Sequence, residues 1–276
     1  MVNLKSVKKN KDAVSWKWSY AICFALVYGM VFLANFLLQR MNYELPKIVY
    51  WLEIWMLIVL LLLILINIFK QRTTYIWWET ALVLLTFAGV WIFSLSILPF
   101  GWGVLLAGCL IIVPYFWQIT LLNNLTVLAG SLGLGLIVAK QFPFSVLMLC
   151  TIGIIFYEFY RFSISEVAIL VAEAYKAGIM PGVLVPAHII GWFKTVSNVW
   201  KAGEGQIASV LPCVLLAATS FHILHYNFLL FFLSALGVFA CGLLLGHDKT
   251  WHLRTWVFAA ATAANYLVYG IVKWIV

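Results

Sequence analysis

Apolar residues in this chain run in long unbroken blocks, with none of the two-residue alternation of a half-buried strand. An α-helix needs about 20 apolar residues, within a range of roughly 17 to 25, to cross a hydrocarbon layer about 30 Å thick. Nine stretches are read as spans, near 20–38, 48–69, 75–97, 101–122, 125–139, 143–162, 207–222, 228–245 and 256–275, and those at 125–139 and 207–222 are the shortest. Between them stand breaking residues: Gln71-Arg72, Pro99, Asn123-Asn124 and Gln141-Phe142-Pro143. The pattern predicts an all-α polytopic membrane protein with nine transmembrane helices.

Composition sharpens this reading. Of 276 residues, 65% are hydrophobic and 9% charged, a balance that excludes a soluble domain of this length. Nine spans leave the two termini on opposite sides, and the excess of Lys and Arg marks the cytoplasmic one. With the N-terminus inside and the C-terminus outside, only Arg40, Lys47, Lys140 and Lys273 of the 17 basic residues fall on the outer side. The net charge of +8 then reflects topology and asks for no nucleic-acid partner. The basic start is followed by a full-length apolar run without a small-residue cleavage pattern, so the first helix reads as uncleaved. Cys23, Cys109, Cys150, Cys213 and Cys241 all fall within apolar runs and read as packing residues. The expected organisation is a basic cytoplasmic segment, 1–18, then N-terminal helices, 19–139, then a core, 140–276, holding a cytoplasmic loop at 163–205. The expected location is the plasma (inner) membrane of a prokaryote, as a multi-pass protein.

The first four spans are crowded with Trp, Phe and Leu, and their Glu53 and Glu79 lie close enough to helix ends to reach the interface. The fifth differs: Gly130, Ser131, Gly133 and Gly135 make it a helix that lets neighbouring backbones come close. No strand and turn precede these glycines, so they are not a nucleotide fingerprint.

Candidate chemistry gathers between 142 and 216. Glu158 lies near the end of the sixth span, and an ionisable group at membrane depth is a functional candidate because it costs about 2.5 to 3.5 kcal/mol to insert. The competing account pairs it with Arg161 at i,i+3 and lets it snorkel to the surface. From 165 to 176 the pattern is helical and amphipathic, with Glu166 and Glu173 on one face, and it stops at Gly178. A β-prone run bounded by Pro181 and Pro186 follows, so Gly182, Val183, Leu184 and Val185 form a strand whose edge is suited to receive an extended peptide. The seventh span is expected to open with Gly203-Glu204-Gly205-Gln206, where a helix would set Glu204 and Gln206 about 200° apart. His222 and His225 fall on the other side of the membrane from His247 and His252, which argues against one metal site. No cofactor is expected.

Taken together, Tyr157-Glu158, Gly203-x-Gly205-Gln206 and the Pro-bounded strand resemble the presenilin and signal peptide peptidase family of intramembrane aspartyl proteases. That family has nine spans with an N-in, C-out course, a Tyr-Asp in the sixth, a Gly-x-Gly-Asp in the seventh and a Pro-Ala-Leu near the ninth. The likeness covers about 124–276. The resemblance implies a presenilin-like bundle whose family-equivalent catalytic positions are Glu158 and Gln206, supported by Tyr157, Gly203 and Gly205. The motifs themselves are changed. The two aspartates, Asp12 and Asp248, both lie outside the spans, and the last proline is Pro212, so neither an intramembrane Asp dyad nor a Pro-Ala-Leu can form. Two carboxyls sharing a proton are what that chemistry requires, and Gln206 has no proton to share. The expectation is a catalytically inactive homologue that keeps a groove for transmembrane helices or membrane peptides within the lipid bilayer. The alternatives are a divergent protease using Glu158, with Glu204 as a substitute carboxyl, and a carrier with Glu158 as its intramembrane acid.

Overall fold

The computed structural model describes residues 4–41, 74–163, 182–202, 205–245 and 254–275. Its elements, in order, are α1 (Leu4–Met41), α2 (Thr74–Ile97), α3 (Phe100–Trp117), α4 (Thr120–Gln141), α5 (Phe144–Ser163), β1 (Gly182–Pro186), a 3-10 turn (Ile189–Phe193), α6 (Val196–Lys201), β2 (Gly205–Ser209), α7 (Val210–Tyr226), α8 (Phe228–Leu245) and α9 (Arg254–Ile275). The described residues are therefore predominantly helical. Among the described residues three helical stretches are long and apolar enough to cross a membrane, Trp16–Leu37, Phe100–Trp117 and Thr120–Gln141, and shorter apolar helices accompany them. The stretch predicted at 48–69 and the amphipathic one at 165–176 lie outside the described residues.

Links of one or two residues join α2 to α3, α3 to α4, α4 to α5 and α7 to α8, so consecutive helices reverse direction. Each break has a local cause. Pro99 starts α3, where its missing N–H costs nothing, and its carbonyl accepts from Gly103 N–H at 2.8 Å. Gln118 ends α3 in the left-handed region at φ 44°, its N–H bonded to Pro114 O at 2.8 Å.

Here the structure departs from the breaks expected of the sequence. Asn123 and Asn124 do not separate two helices; they lie inside α4, which begins at Thr120. An Asn inside an apolar helix is tolerated when its amide finds partners, and Asn124 finds them on β1. Likewise the seventh apolar stretch does not start as a helix: residues 205–209 are extended and the helix begins at Val210. Pro212, in the first turn of α7, fits because that N–H has no intrahelical acceptor in any case.

Two helices organise the packing. Helix α4 is buried over most of its length and lies between α2 and α7. Its glycines set both crossings: a Cβ on Gly133 would stand 1.9 Å from Gly89 O of α2, and one on Gly135 would stand 2.7 Å from Ala217 Cβ of α7. The small-residue stretch is thus a packing helix, used on two faces. Helix α7 touches α1, α4, α5, α8, α9 and β2, so it is the centre of the bundle. The rings of Tyr20 and Phe24 on α1 meet Phe258 of α9, with Phe24 and Phe258 edge to face at 5.0 Å.

Candidate functional site

The site is built where the chain leaves helical geometry. β1 and β2 form a two-stranded antiparallel ladder in which Leu184 stands opposite Ile207, Val185 opposite Gln206 and Pro186 opposite Gly205. Proline, which cannot donate to a ladder, sits at the end of its strand. All five residues of β1 are buried, and Val183, Leu184 and Val185 are 0% exposed.

Backbone groups so deeply buried must all find partners. One edge of β1 faces β2. On the other edge Asn124 acts as a substitute strand: its Nδ2 donates to Leu184 O at 2.7 Å, and Leu184 N–H donates to its Oδ1 at 2.8 Å. The edge that the sequence left open for a peptide is therefore engaged within the chain at Leu184. Gly205 completes the fit, because a Cβ there would lie 2.7 Å from Leu184 Cδ1 and 3.2 Å from Val199 Cγ1.

Gln206 is 2% exposed, and its Oε1 accepts a hydrogen bond from Tyr20 OH of α1 at 2.8 Å. A neutral amide held by a phenol is a positioned polar pair with no acid or base function at neutral pH. Gly203 and Glu204 lie outside the described residues. Tyr157 and Glu158 occupy the last two turns of α5.

How α5 meets α7 fixes where those turns lie. At the start of α5, Phe144 stands edge-on to His222, whose Nε2 is 3.0 Å from Phe142 O, and Leu147 packs on Leu215 and Ala218. As the number rises along α5 it falls along α7, so the two helices run antiparallel. Glu158 lies 11 residues beyond Leu147, about 16 Å of helix. Over the same direction α7 runs back to Val210 and into β2. The backbone at 158 and Gln206 therefore belong to the same end of the bundle.

A second polar cluster was not foreseen. Asn265 of α9 is 0% exposed and uses its whole amide: Oδ1 accepts from Tyr28 OH of α1 at 2.5 Å and from Ser234 Oγ of α8, while Nδ2 donates to Thr219 Oγ1 at 2.9 Å and Ser220 Oγ at 3.3 Å of α7. Four helices are tied by one neutral, satisfied network, which specifies a single arrangement of the bundle. The signal in sequence was a single Asn within the apolar run at 256–275. Among the described residues no group of three or more His, Cys, Asp or Glu could hold a metal ion.

No family model matches the chain, and neither the curated proteins nor the solved structures yield a match.

Proposed function

We propose that this chain is a nine-span membrane protein of presenilin-like architecture, N-terminus inside and C-terminus outside, that binds a transmembrane helix or extended membrane peptide without cleaving it. Glu158 and Gln206 stand at the positions where the resembled family carries its two aspartates, with Tyr157, Gly203 and Gly205 beside them. The observation that carries the reading is the antiparallel packing of α5 on α7 with a strand, β2, feeding directly into α7. That arrangement sends 158 and Gln206 to one end of the bundle. The absence of an intramembrane aspartate supports the non-catalytic half of the proposal, since an amide cannot share a proton with a carboxyl. With Leu184 already bonded to Asn124, the receiving surface is the α5–α7 side next to β2, rather than the Asn124 edge of β1.

The test is site-specific photocrosslinking in the membrane. A photoreactive residue replacing Phe156, an exposed position two residues before Glu158, is expected to capture a transmembrane reporter peptide. The same residue replacing Phe100, exposed at the opposite end of the bundle, is expected not to. Equal capture at both positions, or none at Phe156, removes the proposal. A cleaved reporter that disappears in Glu158→Gln would replace it with the divergent-protease reading.

A further inference from the structure

Residues 187–202 connect β1 to β2 and carry their apolar side chains in two directions. Inward go Trp192, Val196 and Val199, all buried, with Trp192 Nε1 donating to Ser19 Oγ of α1 at 3.4 Å. Outward go Ile189, Ile190 and Phe193, of which Ile190 is 71% and Phe193 67% exposed. In water such a loop would turn polar residues outward.

The segment is firmly fastened. Thr120 N–H and Oγ1 both donate to Lys194 O, at 3.0 and 2.9 Å, Val196 N–H donates to Gln118 O at 2.9 Å, and Ile119 bridges Thr195. These bonds clasp the loop onto the α3–α4 turn, directly beside the exposed Tyr115, Phe116 and Trp117 at the end of α3. The exposed rings at the end of α3 and the exposed Ile189, Ile190 and Phe193 thus belong to two segments fastened to each other, and the second carries the exposed Lys194 and Lys201.

Depth decides what covers it. Thr120 opens the 22-residue stretch Thr120–Gln141, whose length of about 33 Å matches a hydrocarbon layer of about 30 Å. A loop bonded to Thr120 therefore sits at the hydrocarbon boundary. Aromatic rings with lysines beside them are what that boundary favours, the rings among headgroups and the ammonium groups on anionic phosphates.

We infer that the 187–202 clasp, together with the end of α3, is an interfacial membrane-docking surface: Ile189, Ile190 and Phe193 enter the acyl boundary, and Lys194 and Lys201 hold anionic phospholipid headgroups. The inference rests on the chain spanning a membrane and not on peptide binding, so the failure of one leaves the other standing.

The test uses the full chain in nanodiscs of phosphatidylcholine, alone or mixed with phosphatidylglycerol. Ile190→Cys and Phe193→Cys, each labelled with an environment-sensitive fluorophore in a Cys109→Ser, Cys150→Ser background, are expected to emit as in an apolar medium and to be quenched by brominated lipid. Ala202→Cys, also exposed, is expected to be quenched by aqueous iodide instead. Lys194→Gln with Lys201→Gln is expected to lower the preference for phosphatidylglycerol, read by lipid competition, about thirtyfold, the scale set by two juxtamembrane lysines. Iodide quenching with no lipid quenching at both Ile190→Cys and Phe193→Cys overturns the inference. So does a label response that depends on protein concentration, which would assign the surface to a second copy, or a lipid preference unchanged by the lysine substitutions.

Discussion

Replacing Asn124 with alanine isolates the contact on which the strand pair depends. The substitution removes two hydrogen bonds, of 2.7 and 2.8 Å, and leaves Leu184 N–H and C=O without partners in a place where Leu184 is 0% exposed. An orphaned buried donor or acceptor costs about 1 to 3 kcal/mol, so the pair is worth about 2 to 6 kcal/mol. For a chain of this size each kcal/mol moves the melting temperature by about 2 to 4 °C. The expected fall is therefore about 4 °C or more, followed by tryptophan fluorescence in detergent micelles. The control is Asn123→Ala, which deletes an amide of the same size pointing about 100° away around the helix; it is expected to cost far less. Hydrogen exchange supplies a local readout, because peptides covering 182–186 should lose protection in Asn124→Ala while those of α7 keep it. A fall within about 1 °C of the Asn123→Ala value, with exchange at 182–186 unchanged, would refute the claim that a side chain closes the strand edge.

Gly133→Leu should drive α2 from α4, because even a Cβ at that position would lie 1.9 Å from Gly89 O; Gly108→Ala, with nothing within 4 Å, should be tolerated. Size-exclusion profiles and melting curves of the two variants should differ accordingly, and equal behaviour would contradict the crossing. Tyr28→Phe removes one donor from Asn265 and should cost about 0.5 to 2 kcal/mol, whereas Asn265→Leu strands several hydroxyls at once and should cost more; a reversed order in denaturant or thermal unfolding would mean that the network is not the joint between α1, α7, α8 and α9.

Local sequence foretold a great deal. Helices occur at eight of the apolar stretches predicted, and the glycines at 130, 133 and 135 announced the close crossings that α4 makes. The errors fell where a residue's conformation is set by something distant. Asn123-Asn124 looked like a break because Asn is a poor helix residue in isolation, and the bonds that keep Asn124 inside α4 come from a residue 60 positions away. Residues 205–209 looked like the start of a helix because apolar runs of that length do not distinguish helix from buried strand. They are extended because β1 offers them a ladder.

The candidate site divides in the same way. Its members were legible as chemical types: a carboxyl at 158, an amide at 206 and a Pro-bounded strand at 182–186. Their company was not, since Tyr20 reaches Gln206 across 186 positions of chain and Asn265 gathers hydroxyls from three other helices.

By itself the sequence determined the helical class, the approximate position of most helices and the scarcity of aspartate, of which the chain holds only Asp12 and Asp248, because these follow from local composition and from which side chains exist. Only the tertiary structure decided which edges are closed, which polar groups are satisfied and which ends of which helices lie together. A buried polar group is stable only with its partner, and partners are chosen by packing between segments far apart in the chain.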